Sequence, residues 1–442
     1  MSLYDRRSSV LPSVMLARNR RGADRRGDVL ARRLREPTVD MRRSRASLFA
    51  YAERHEPERN DMTRVVAPCS VCAWLKEKAL PLWSSVGWDR DTDSFVERLS
   101  SRGEPLLDTP RRAMVQARQI YAFGTAHRNG WLSDSEDLVS RAADSMVRRY
   151  YGVDGARGWA FSVARDGAVV DSRRDLYTHA FVLLGLATAY ETTQDRAYIA
   201  LADKTLDFLD GYMASAHGGY IETLPDSRGH RRQNPHMHLL EALLALFDAT
   251  KRSSYFERAT AVRDLFFARF LQSQGSVVVE FFDNEWRPLD SPHFPFEPGH
   301  HFEWIWLLDR YEKLQRFDLA NALDRLWDTA LHVGVDSNCE IFARGTIGGA
   351  VDRSTRLWFY TEAAKAALVM SARQERFCGP TAKDFLDAMH ERFLEPALSG
   401  SWIDEFDAHG CVKNDFAPAS SLYHICCAVD ASESAGAPPW RR

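Results

Sequence analysis

Past Ala73 the chain alternates two textures. Long stretches such as "FVLLGLATAY" and "HLLEALLALFDAT" repeat apolar residues at helical spacing. Between them lie short Gly-bearing segments with a β-prone run and a polar turn. The helical stretches come in pairs. Pro110–Phe123 with Ser133–Tyr150 is one, followed by Asp175–Thr192 with Asp195–Tyr212 and Asn234–Thr250 with Ser253–Leu271. Gly299–Leu314 with Leu319–Val333 and Ser354–Ser371 with Thr381–Leu394 continue the series, and Cys72–Trp83 and Ala419–Val429 stand at its ends. That predicts about twelve helices in six pairs.

The short segments read as small hairpins: "GWDRDTDSFVERLSSRGEPLLD", "GWAFSVARDGAVVD", "GGYIETLPDSRGH", "GSVVVEFFDNEWRP", "EIFARGTIGGAVDR" and "GSWIDEFDAHGCVK". Four carry a turn glycine (Gly103, Gly167, Gly229, Gly410), and those around Asn284 and Gly348 are degenerate, with successive turns about 55 to 65 residues apart. A helical hairpin cannot bury its apolar face alone. Six of them closing on one another predict an all-α fold, an (α/α)6 toroid or barrel with short β-hairpins at one end. The starts of the inner helices would then converge on one axial pocket.

Each inner-helix start offers a titratable or aromatic side chain. They are Arg118 in "RRAMVQARQIY", His179 in "DLYTHAF", His238 and Glu241 in "NPHMHLLEA", and His300 and Glu303 in "EPGHHFEW". Trp358 and Glu362 in "RLWFYTEA" and His424 in "SSLYHICC" complete the set. Each also has an ordinary reading. A lone His179 fits a satisfied interior histidine, Glu303 or Glu362 fits half of a structural ion pair, and His236 and His301 fit surface or supporting groups. Two His-x-x-Glu pairs raise a dimetal carboxylate centre, but the order is the reverse of the usual Glu-x-x-His and no further carboxylates match. No metal is expected. Several histidines with carboxylate partners suit proton transfer, because imidazole titrates near neutrality and a carboxylate fixes its tautomer. Trp358 could stack on a sugar face, and Arg118 could hold charge on an enediolate oxygen.

Composition narrows the class. The 442 residues are 45% hydrophobic and 11% aromatic, enough for a large core. Of the formal charge of −3, Met1–Ala46 carries thirteen Arg against five acids, or +8, leaving −11 on the rest. An acidic body argues against a nucleic-acid groove. The expected division is an Arg-rich extension over 1–66, outside any packed core, a barrel domain over 67–432 and a short tail over 433–442. The extension also fits an Arg-rich targeting segment, although its repeated Asp residues weaken that reading. There is no secretory apolar core and no run long enough to span a bilayer, so no membrane partner is expected. Cys69 and Cys72 form a lone C-x-x-C among seven cysteines, which reads as reduced thiols in a cytoplasmic protein.

At these positions the chain resembles the N-acylglucosamine 2-epimerase family, which also holds mannose isomerase, sulfoquinovose-type aldose–ketose isomerases and cellobiose 2-epimerase. The resemblance rests on "MVQARQIYAF", "DLYTHAFVLLGLA", "RQNPHMHLLEALLALFDAT", "EPGHHFEWIWLL", "RLWFYTEAAKAAL" and "PASSLYHICCA", in family order from about Leu80 to Val429. It implies an (α/α)6 barrel with His300 and His424 as acid/base pair and Glu303 supporting His300. It also implies His238 lining the pocket and linked to ring opening, with Glu241 behind it. Arg118 would contact the C1 and C2 oxygens, and Trp358 and Glu362 the substrate. His179 falls in a matching segment; the resemblance implies no specific role for it, and it is placed among the substrate contacts. No cofactor is implied; the substrate would be a monosaccharide or sugar phosphate, and the protein a monomer or homodimer. "RQNPHMHLLEALL" and "PASSLYHICCA" look most like the mannose and mannose-6-phosphate isomerase branch, with a 2-epimerase as the alternative. A toroid that binds a sugar or protein without turning it over is the alternative of another class. Phe359 and Tyr360 stand where the branch has Pro and Gln, a departure that would reshape the pocket floor. Arg231, Arg232, Arg344, Arg353 and Arg356 are candidates to grip a phosphate.

Overall fold

The computed structural model describes residues 70–226, 229–289, 293–315, 318–374 and 377–436. The expected extension over 1–66 lies outside the described residues, as does most of the tail. Twelve helices follow among the described residues. Helix α1 runs through three contiguous stretches, Ser70–Trp74, Leu75–Ala79 and Leu80–Ser85. The others are α2 (Ala113–Arg128), α3 (Ser135–Tyr150), α4 (Leu176–Thr193), α5 (Arg196–Phe208) and α6 (Asn234–Thr250). Then come α7 (Ser253–Leu265), α8 (Pro298–Leu314), α9 (Ala320–Gly334), α10 (Leu357–Arg373), α11 (Ala382–Met389) and α12 (Ser421–Gly436).

The even-numbered helices form the inner ring. Each packs on the next, and α12 packs on α2, which closes it. Inner helices are buried nearly all round, as "FVLLGLATA" in α4 requires. Close approach of α2 and α4 depends on small residues: a Cβ on Gly185 would lie 3.1 Å from the Ala117 Cα. Outer helices such as α9 bury one stripe only. Helix starts are fixed by side chains where the sequence offers them. Asp175 accepts the Thr178 N–H at α4, and Thr381 with Asp384 makes a capping box at α11.

The predicted hairpins are joined to one another around the ring. The strand leading into each inner helix pairs with the next repeat's hairpin. Arg111–Arg112 pairs with Ser162–Val163, Arg174–Asp175 with Thr223–Leu224, His230–Arg232 with Phe281–Asp283, and Thr355–Arg356 with Glu405–Phe406. Phe296 bridges Gly345, and Phe416–Pro418 returns to Arg98–Ser100 of the first hairpin. The ring is therefore stapled twice, by helix packing and by backbone hydrogen bonds between neighbours. In the degenerate fourth turn the left-handed residue is Trp286, at φ 63°, whose indole donates to the Gly218 carbonyl.

A second repeated device anchors five of the six hairpins to their own inner helices. His179 accepts the Trp159 N–H at Nε2 (3.2 Å), so its proton sits on Nδ1, which donates to the Asp175 carbonyl (2.8 Å). His236 does the same with Tyr220 N–H (3.0 Å) and the Arg232 carbonyl (3.3 Å), and His301 with Val278 N–H (3.2 Å) and the Glu297 carbonyl (3.3 Å). Tyr360 accepts from Ile341 N–H and Gln116 from Phe95 N–H. Gly219 permits the approach at His236, where a Cβ would lie 2.7 Å from Nε2.

His179 is thus an interior latch stacked on Phe208, and its expected place among substrate contacts is corrected. Burial lowers its imidazole to about 4, so it stays neutral. Tyr360, expected to reshape the pocket floor, instead points at its hairpin. Replacing His179 with Ala leaves the Trp159 N–H unpaired and a void beside Phe208. The expected loss is about 2–4 kcal/mol in chemical denaturation, with kcat of the folded fraction unchanged.

Candidate active site

Five inner helices bring the chemistry together within their first two turns. His238 is on α6, His300 on α8, Trp358 on α10, His424 on α12 and Arg118 on α2. Three histidines share one design: Nδ1 faces a carboxylate, which leaves Nε2 as the outward nitrogen. His238 Nδ1 is 3.2 Å from Glu241 Oε2. His424 Nδ1 is 2.8 Å from Glu362 Oε1. His300 Nδ1 is 3.0 Å from both oxygens of Glu280.

Two expected roles are corrected here. Glu303 does not support His300; it lies 3.7 Å from His238 Nδ1, and Glu280 takes the expected place. The resemblance implied the Glu303 pairing, but Glu280 occupies His300 Nδ1 while Glu303 turns toward His238. Glu362 is not a substrate contact either. It is fully buried behind His424, with its other oxygen 2.6 Å from the Lys365 ammonium. Glu241 stands behind His238 and also accepts from the Tyr423 hydroxyl.

Glu280 was legible in principle, as a lone acid inside the apolar run "VVVEFF". Its carboxylate is fixed by the Gln233 side-chain amide (2.9 Å), which the Trp304 indole N–H holds in turn (2.8 Å). Asn234 was also missed. Its amide lies 2.9 Å from His300 Nε2, and its oxygen otherwise has no partner, so turning the amide gives an imidazolium N–H an acceptor.

The environments push the two opposed histidines to opposite charge. Burial lowers His300, but the Glu280 and Glu297 carboxylates overturn that and raise it to about 10. His424 goes well below its ordinary value, by burial first and then by the Arg118 and Lys365 charges. Burial also lowers His238, to about 4, against the hydrogen bond from Glu241. Glu303 is raised well above the usual carboxylate range by burial and by Glu362. At neutral pH one imidazolium faces one neutral base. Such divergence within one cluster marks an acid and a base.

Trp358 lies between them, its ring 5.2 Å from the His300 ring and 5.7 Å from that of His424, half-buried and open as a platform. Its seat depends on Gly299, where a Cβ would meet the indole at 2.8 Å. Arg118 sits over the Phe181 ring at 4.0 Å and donates to the Tyr177 hydroxyl (2.6 Å) and the Ser420 carbonyl (3.2 Å). Of the candidate phosphate arginines, Arg231 pairs with Asp226, Arg232 with Glu222, and Arg353 lies over Phe342. Arg356 keeps about 43% of its side chain exposed, with carboxylates no nearer than 3.5 Å, and Arg344 is exposed. Among the described residues no helix is long and apolar enough to cross a membrane.

The arrangement supports proton transfer on a polyhydroxylated ligand, and comparison with known proteins agrees. The family model for N-acylglucosamine 2-epimerase (GlcNAc 2-epimerase) matches residues 94–428. A mannose-6-phosphate isomerase of Rhizobium meliloti (strain 1021) is 33% identical over 374 residues, spanning 81% of this chain and 95% of that protein. A D-mannose isomerase of Thermobifida fusca is 26% identical over 78% of this chain and 89% of its own. The solved cellobiose 2-epimerase from Bacillus thermoamylovorans B4167 superposes with a TM-score of 0.74 at 17% identity, covering 82% of this chain and 98% of that one. With its all-α ring, paired histidines and match along most of its length, the chain belongs to the N-acylglucosamine 2-epimerase family and is a sugar isomerase or epimerase.

Proposed function

We propose that the protein is an aldose–ketose isomerase that interconverts mannose, or mannose 6-phosphate, with the corresponding fructose. The observation that carries this reading is the placing of His300 and His424 on either side of Trp358, each with Nδ1 held by a buried carboxylate. In the open-chain aldose the C2 proton is acidified by the C1 carbonyl. Neutral His424 takes that proton at Nε2, while the His300 imidazolium and the Arg118 guanidinium face the developing enediolate oxygens. An imidazolium held as firmly as His300 is a hydrogen-bond donor to oxygen rather than a second carbon acid. The same base then returns the proton to C1, while O1 takes a proton from the His300 imidazolium and the O2 hydroxyl gives one back to it, and the product is the ketose. His238, neutral and backed by Glu241, is available for the proton movements of ring opening, and Trp358 for stacking on the sugar.

The relative of Rhizobium meliloti, named for mannose 6-phosphate, supports the phosphorylated substrate. So do Arg356 and Arg344, whose charge reaches Glu297 beside His300. The test is proton NMR in heavy water with mannose and, separately, mannose 6-phosphate. Fructose or its 6-phosphate should accumulate, with deuterium entering at C1. Glucose, or its 6-phosphate, forming without the ketose would replace this reading by 2-epimerisation, and silence on both sugars would refute it.

A further inference from the structure

Beneath His424 lies a buried cation that the proton-transfer scheme does not use. Lys365 is one turn after Glu362 on α10, and only 1% of it is exposed. Its ammonium is 2.6 Å from Glu362 Oε2, while Glu362 Oε1 is 2.8 Å from His424 Nδ1. The three groups form a chain from ammonium to carboxylate to imidazole, with nothing exposed but the last ring edge. We propose that Lys365 is a positioning residue: its ammonium keeps Glu362 a carboxylate, so that Glu362 accepts the Nδ1–H of His424 and leaves Nε2 bare toward the substrate. This rests on His424 being the base of the proposed isomerisation.

The surroundings make the cation necessary. Glu362 faces Lys365 on its own helix, His424 on α12, Glu303 on α8, and Glu241 with His238 on α6. Three carboxyl groups therefore share one buried region. Burial pushes Glu362 up, Lys365 is the largest opposing influence, and Glu241 pushes it further up. Lys365 itself stays charged: burial lowers it, but Glu362 more than reverses that, and the Cys427 thiol beside it is pushed up by burial and stays neutral. Without the ammonium, the cheapest repair is a proton on Glu362. A protonated Glu362 has an O–H to donate to Nδ1, which would move the histidine proton to Nε2 and block the base.

The test combines imidazole 15N NMR with kinetics. In the wild type, His424, identified by the signal missing from His424→Asn, should show a protonated Nδ1 and a bare Nε2 from pH 6 to 9. In Lys365→Met the bare-Nε2 signal should fade at neutral pH, kcat should fall about 10-fold at constant KM, and the acid limb of kcat should move up by about one pH unit or more. In a Glu362→Gln background the same change should add less than about 2-fold, because the group it acts through is gone. Lys365→Gln, which keeps a donor without the charge, serves if the methionine variant does not fold. A wild-type His424 protonated on Nε2 overturns the proposal without any variant. So does a folded Lys365 variant that keeps Nε2 bare and its acid limb in place. The NMR readout needs no substrate, so failure to turn over either sugar would sink the functional reading separately.

Discussion

Replacing His424 with asparagine is expected to lower kcat about 1,000-fold or more with KM nearly unchanged, and to abolish exchange of the C2 proton into heavy water. The choice of asparagine isolates the base. Its side-chain N–H sits near the place of Nδ1 and can still donate to Glu362, so the buried chain to Lys365 stays satisfied. What disappears is Nε2, the nitrogen that meets the substrate. Trp358 keeps its platform because Phe359 and Gly299 hold it from the other side. The measurement is steady-state kinetics together with NMR exchange on the same sample. A variant that folds, exchanges C2–H and turns over near the wild-type rate would remove His424 from the chemistry.

Much of this site was legible because repeats align equivalent positions. A period near sixty residues puts His238, His300, Trp358 and His424 at the same end of the ring, whatever the packing details. Partnership was not legible. The carboxylate behind His238 is three residues along the same helix, and that behind His424 comes from a neighbouring inner helix. Glu280, behind His300, comes from the link between the short strands Val277–Val278 and Phe281–Asp283, a contact between segments twenty residues apart that no helical spacing encodes.

The latch histidines expose a second ambiguity. His300 and His301 are adjacent and His236 and His238 are two apart, yet each step of one residue turns a side chain by about 100° on a helix. One imidazole of "GHHF" faces the reacting groups and the other faces a backbone N–H. Helical periodicity alone says that they differ, not which is which. The answer depends on where the hairpin lands, and the hairpins land through pairing with the neighbouring repeat.

The charge on His300 carries the other large expectation. Glu280→Gln keeps the shape of the side chain and one acceptor for Nδ1–H but removes the charge, leaving Glu297, 3.7 Å away, as the nearest carboxylate to Nδ1. The His300 imidazolium should lose most of its protection, and kcat should fall about 100-fold at neutral pH. In the wild type the alkaline limb of kcat should lie near pH 10, where His300 gives up its proton. In the variant it should move toward the ordinary imidazole value of 6.5. Stability follows the same sign. A histidine whose folded value is raised contributes fully below its unfolded value near 6.5 and loses that contribution as pH rises through about 10. Glu280 is the mirror case, lowered by His300 against its burial, and its contribution is lost as pH falls below the carboxylate range. Denaturation midpoints of wild type and variant should therefore differ most from above the carboxylate range up to about pH 6.5, draw together as pH rises from there through about 10, and coincide toward pH 11. An unmoved alkaline limb in Glu280→Gln would mean that His300 is not held charged by this carboxylate, and the opposition of acid and base across Trp358 would need another source.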